Sequence, residues 1–160
     1  MTHEYVIGLR GVVLGAVPDA GTPAGPSPTA VAWAADRMLA VGTDDEVRGI
    51  SRGDSTFLDL AGCAVMPLPS DVVAAERLVR AAVARGRPFD PVRLLADAGL
   101  LAADATIEVG APADLAFWTA DPATVPASDA ATVGVIAVLR AGHFTDGDEH
   151  VGPFARLPGS

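Results

Sequence analysis

Short runs of aliphatic and β-branched residues, separated by turn formers, fill the N-terminal part of the chain. Val6, Ile7, Leu9, Val12, Val13, Leu14 and Val17, punctuated by Gly8, Gly11 and Gly15, predict a bulged or bent strand over residues 5–17. Residues 19–28 are rich in Pro, Gly, Ala and Ser without periodicity and predict an exposed loop. Ala30-Val31-Ala32-Trp33-Ala34 and Met38-Leu39-Ala40-Val41 flank Asp36-Arg37 as the arms of a hairpin, ended by Gly42. Thr43 followed by Glu46 fits a capping box, so a short helix should run to about Ile50. Phe57-Leu58-Asp59-Leu60 and Ala64-Val65-Met66, joined by Ala61-Gly62, predict another hairpin.

The period then changes. Ala75, Leu78, Val79, Ala82 and Val83 recur at helical spacing opposite Glu76, Arg77 and Arg80, which predicts a helix over 72–85 with Asp71 as N-cap and Gly86 as stop. Asp90-Pro91 reads as an N-cap and a first-turn proline, opening a helix over 92–98 that ends at Gly99. Leu115-Ala116-Phe117-Trp118 predicts a strand, the stretch through Pro122 and Pro126 a loop, and 132–139 a closing strand. Residues 153–160 are expected to be a flexible, loosely attached tail. The pattern predicts a mainly β (α+β) fold with two or three short helices, as one domain over 1–152.

Composition narrows this picture. A chain of 160 residues can hold one core of its own but not a (β/α)₈ barrel, which needs about 250 residues. With 50% hydrophobic and 19% charged residues it should fold compactly. Twenty acidic against eleven basic residues give a net charge of -9, which argues against nucleic acid or an anionic membrane as partner. The single Cys63 allows no internal disulfide, thiolate zinc cluster or redox pair, and reads as a small buried hydrophobe. Apolar segments are too short to cross a bilayer and Thr2-His3-Glu4 is not the basic start of a signal peptide, so a cytoplasmic location is expected.

Some segments carry more than periodicity. Ile107-Glu108-Val109-Gly110-Ala111-Pro112-Ala113-Asp114-Leu115 resembles a recurring segment of metal-dependent amidohydrolases, roughly "hydrophobic-Glu-x-Gly-x-x-Ala-Asp-Leu". Asp36-Arg37-Met38-Leu39-Ala40-Val41-Gly42 is similar to the superfamily's "Asp-Gly-Arg-Ile-x-Ala-Val-Gly", without the first Gly. Leu58-Asp59-Leu60-Ala61-Gly62-Cys63-Ala64-Val65-Met66-Pro67 resembles "Ile-Asp-x-x-Gly-x-x-Val-x-Pro-Gly", and Asp90-Pro91-Val92-Arg93-Leu94-Leu95 resembles "Asn-Pro-Ala-Arg-x-Leu". The resemblance, to imidazolonepropionase-like proteins in particular, spans residues 6–148 but only the non-catalytic parts of the superfamily. It implies the small composite β-sandwich that accompanies the catalytic barrel, with the barrel deleted near Pro67 to Asp71, residues 70–99 as a helical insert replacing it, and a last hairpin over 142–148.

The divergence after Pro67 bears directly on activity. The superfamily continues with Gly-Phe-Ile-Asp-x-His-x-His, whose imidazoles share one strand face and bind metal. Here Leu68-Pro69-Ser70-Asp71 follows, and no histidine lies between His3 and His143. Metal and cofactor are therefore expected to be absent, and no catalytic residue is assigned. His143 and His150, with Asp146, Asp148 and Glu149 between them, are read as a solvated hairpin turn and tail rather than a weak cation site. Asp114 is read as a structural hydrogen-bonding group at a strand start, and Ser70 has neither a nearby histidine nor a Gly-x-Ser-x-Gly elbow. No Gly-rich stretch carries the lysine of a phosphate-binding loop.

Removing a barrel should uncover an apolar face that self-association, a protein partner or a small apolar ligand would cover. Trp33, Trp118, Leu78 and Leu94 are the candidate residues of that surface. The expected function is that of a non-catalytic binding or assembly module and not an enzyme. The alternative is an accessory subunit of a hydrolase acting on carbon-nitrogen bonds, with the barrel on another chain.

Overall fold

The computed structural model describes residues 5–16, 28–50, 55–102, 104–145 and 152–157. In chain order the elements are β1 (Val6–Leu9), β2 (Val12–Val13), β3 (Ala30–Ala34), β4 (Arg37–Gly42), α1 (Asp44–Arg48), β5 (Thr56–Asp59), β6 (Ala64–Pro67), α2 (Val72–Ala84), α3 (Pro91–Asp97), β7 (Leu115–Trp118), β8 (Val135–Arg140), β9 (His143–Phe144) and β10 (Ala155–Arg156). Two 3₁₀ segments, Pro122–Thr124 and Ala127–Thr132, lie between β7 and β8. The described strands form two five-stranded sheets, ordered β10-β5-β1-β3-β4 and β2-β6-β7-β8-β9.

The chain changes sheet at two adjacent corners. Arg10 (φ 65°) separates β1 from β2, and Ala61 (φ 51°) with Gly62 (φ 82°) separates β5 from β6. The two bent segments run parallel, Ile7 opposite Phe57 before the corner and Val13 opposite Val65 after it. Hydrogen bonds continue through the bend, from Leu60 N–H to the Leu9 carbonyl (2.9 Å) and from Val12 N–H to the Cys63 carbonyl (2.9 Å). Arg10 and Asp59 face each other there at 3.5 Å. Residues 57–60 and 64–66 thus do not form the expected hairpin. Consecutive left-handed residues turn the strand into the other sheet, where β6 pairs with β2 and β7.

Three apolar layers result. Alternate residues of both sheets, among them Val6, Val31, Trp33, Leu58, Val65, Leu115, Phe117, Leu139 and Phe144, fill the space between the sheets. The outer face of the first sheet (Ile7, Leu9, Ala30, Ala32, Phe57) packs with Val47 of α1. The outer face of the second (Ala64, Met66, Ala116, Trp118) packs with Ala75, Val79 and Val83 of α2, Leu95 of α3, and Ala130 and Val133. This is a small β-rich sandwich with three short α-helices among the described residues.

The helix signals act where expected. Thr43 caps α1 through its side chain while Glu46 accepts from the Thr43 N–H, and these bonds hold the Glu46 carboxyl below the usual carboxylate range. Asp71 accepts from Ala74 N–H (3.1 Å), and Asp90 accepts from Val92 N–H (3.1 Å) and Arg93 N–H (3.3 Å). The closing strand begins at Val135 rather than at Thr132, because residues 127–132 form the 3₁₀ segment.

The expected loosely attached tail is, over residues 153–157, part of the fold. Phe154 is 8% exposed, its ring centroid 5.0 Å from that of Phe117, and Ala155–Arg156 pair with β5. An aromatic side chain entering the core fixes what polarity and position suggested was free. The expected loop 19–28 lies, except for Pro28, outside the described residues, as do 146–148 of the last hairpin and 158–160 of the tail.

Candidate functional site

Residues 107–114 lace the sandwich together. Met38 N–H donates to the Ala111 carbonyl (2.9 Å) and Gly110 N–H to the Met38 carbonyl (2.9 Å), so this segment lies along the start of β4. Ala113 N–H then donates to the Asp36 carbonyl (2.8 Å), and the Ala113 carbonyl accepts from Gly142 N–H (3.0 Å). The Asp114 carboxylate accepts from Ala141 N–H at 2.7 Å. One dipeptide therefore ties the turn of the β3–β4 hairpin to that of β8–β9, and Asp114 has the structural role expected of it.

The helical layer leaves and re-enters the second sheet at one place. Pro67, the last residue of β6, is the register partner of Leu115, the first of β7, and Leu68 N–H donates to the Asp114 carbonyl (3.3 Å). All of α2 and α3 lies between these paired residues. The layer is clamped to β8 by an i,i+4 pair: Glu76 Oε2 accepts from Val135 N–H (2.9 Å), Arg80 Nε donates to the Val133 carbonyl (2.6 Å), and Glu76 and Arg80 lie 3.5 Å apart. The helical spacing places these two residues opposite the apolar stripe of the helix. Their i,i+4 spacing is a local signal, but the strand bulge they reach is not.

The candidate surface residues occupy different layers. Trp33 (1% exposed) lies between the sheets, 6.0 Å from Phe144 between ring centroids, whereas Trp118 (0% exposed) lies beneath the helices. Both indoles are core side chains and offer no surface; among the described residues neither Nε1–H has an acceptor. Leu78 and Leu94 are partly buried and pack onto the same cluster as Trp118. The outer face of the second sheet is covered by the chain's own helices, whose apolar stripe fits it. Among the described residues the large apolar side chains that remain exposed, Val73, Val109 and Ile136, are on separate elements or loops.

Two surface concavities flank the helical layer. One, of about 370 Å³, runs along α3 past Asp90, Arg93 and Asp97, but Asp90 caps the helix and Arg93 faces Asp97 at 3.9 Å. The other, of about 230 Å³, lies between the end of α2 with its following turn and the 3₁₀ segments; Val83, Phe89, Pro122 and Val125 line it with Arg87. Ser70 Oγ donates to the Leu100 carbonyl (3.4 Å) and Cys63 is buried, its thiol pushed up by burial and by the nearby Asp59 charge. Among the described residues no three His, Cys, Asp or Glu side chains gather as a metal site, and no helix is long and apolar enough to cross a membrane. His143 is exposed on β9; His150 and the acidic residues before it lie outside the described residues. No protein-family model, curated protein or solved structure matches the chain.

Proposed function

We propose that this chain is a non-catalytic binding or assembly module, built on a sandwich like the composite domain of amidohydrolases, in which a helical layer stands where those enzymes carry a barrel. The observation that carries the reading is the pairing of Pro67 with Leu115. An excursion that begins and ends on hydrogen-bonded neighbours in one sheet can be exchanged for another without disturbing either strand. Three of the segments of resemblance sit at connections of the sandwich, which supports the reading: 36–42 forms the turn end and strand of a hairpin, 58–67 the sheet-to-sheet corner, and 107–115 the lacing connector. With the sheet face filled, the module's working surface is the outside of the helical layer. A cytoplasmic location, and partners other than nucleic acid or membrane on a charge of -9, belong to the same reading.

The test is a native mass spectrum of the protein purified from its own host without tags or chelators. A homo-oligomer, a protein complex without metal, or a small-molecule adduct supports the proposal. A bare monomer sinks it, and a stable complex with a larger metal-bearing chain would make this the accessory subunit of a carbon-nitrogen hydrolase instead.

A further inference from the structure

We infer that the cleft between the end of α2 and the 3₁₀ segments binds a small molecule with an apolar body and a single carboxylate, with Arg87 as its counter-ion. The inference rests on the binding-module reading and gives that module a ligand class. Val83, Phe89, Pro122 and Val125 line the cleft, and Val83, Phe89 and Val125 also belong to the cluster beneath the helices. The cleft is thus an open edge of a core, where water contacts apolar walls and an apolar ligand would displace it favourably.

Among the described residues the only charged side chain in this lining is a cation, on a chain with twenty acidic and eleven basic residues. Arg80, Arg10 and Arg93 are engaged by carboxylates, whereas Arg87 has no hydrogen-bond or ion-pair partner among the described residues. A guanidinium presents a planar fork that a carboxylate matches with two parallel hydrogen bonds. One such group beside apolar walls suits a monoanion, and the overall charge of -9 disfavours a polyanion. The volume of about 230 Å³ is below the ~300–1,000 Å³ of drug-sized pockets, so the ligand is the size of one aromatic ring or a short acyl chain. Gly86 and Ala127 narrow the cleft: a Cβ placed on Gly86 would lie 3.8 Å from that of Ala127.

Titrating the ¹⁵N-labelled full chain with benzoate and with hexanoate, and with benzamide as the neutral counterpart, tests the inference. Saturable shifts at the amides of Gly86, Phe89 and Ala127 are expected with the acids, and binding about tenfold weaker with benzamide. Arg87→Gln should remove the difference between benzoate and benzamide, and Ala127→Leu should fill the cleft and abolish binding by both. Both side chains are exposed, and each variant's own spectrum reports its folding. No saturable shift with either acid, shifts elsewhere, or equal binding of benzoate and benzamide would overturn the inference. An oligomer in the native mass spectrum with a silent cleft would remove this ligand and leave the module, whereas a bare monomer that binds benzoate here would retain the cleft without the assembly.

Discussion

Glu76 on α2 accepts a hydrogen bond from the backbone N–H of Val135 at 2.9 Å, at the point where β8 begins and its register with β7 shifts by a bulge. The strand pairing leaves this N–H to be satisfied from outside the sheet, and a carboxylate does it. Glu76→Ala should therefore destabilise the fold by about 1–2 kcal/mol, below the full value of a charged hydrogen bond because Glu76 is partly solvated. Glu76→Gln should retain most of the stability. Urea unfolding of the three proteins checks this; equal stability of the alanine variant and the parent would refute the clamp.

Gly134 lies under the same clamp. A Cβ there would come 2.9 Å from Glu76 Oε2 and 3.0 Å from Arg80 Nη2, the ends of two flexible side chains that could move aside by giving up their bonds. Gly134→Ala should cost about 1 kcal/mol in the parent and much less in a Glu76→Ala background, since the two changes remove one interaction. A double-mutant cycle by denaturant unfolding measures the coupling, and strict additivity would contradict it.

Gly142 allows no such accommodation. Its φ of +80° favours glycine, and a Cβ would fall on the backbone carbonyl of Ala35 in the facing hairpin turn. Gly142→Ala should cost about 3 kcal/mol or more, because neither backbone can yield without breaking the bonds to Ala113. Thermal unfolding should show a loss of about nine degrees or more at the entropy change typical of a domain of this length.

The Cys63 thiol is buried and its pKa is raised above the ordinary value, first by burial and then by Asp59. The folded protein holds this proton more tightly than the unfolded chain, so its contribution to stability is intact below the unfolded thiol pKa and is lost as pH rises from there through the raised folded pKa. Native protein at pH 8 should react with a disulfide reagent far more slowly than protein in urea. Cys63→Ser should lessen the fall of stability between pH 8 and 10. Rapid labelling of the native state would show the thiol to be accessible.

Trp118 and Phe117 separate two kinds of burial on one strand. Trp118→Phe loses apolar area but also removes a buried N–H that has no acceptor, so its cost should stay below about 2 kcal/mol. Phe117→Ala, in the aromatic cluster with Trp33, Phe144 and Phe154, should cost about 3–5 kcal/mol. Folded protein should show blue-shifted tryptophan emission, since both indoles are buried. If the Phe117 variant proved the milder, the placement of the main core would be wrong.

The sequence by itself determined the local elements. The Thr43–Glu46 box, the Asp71 cap, the Asp90-Pro91 start and the stops at Gly86 and Gly99 work within a few residues of chain, so their signals and their effects coincide. The alternation of apolar residues likewise marked most strands and the mainly β class. Only the tertiary structure decided that 57–60 and 64–66 belong to different sheets, that Phe154 brings the tail into the core, and that Glu76 and Arg80 hold a strand rather than face solvent. It also decided that Trp33 and Trp118 lie in separate cores, and that Arg87 borders an apolar cleft. Each of these depends on partners tens of residues away. Periodicity says that a side chain is buried, but the partner that buries it is chosen by the packing of the whole chain.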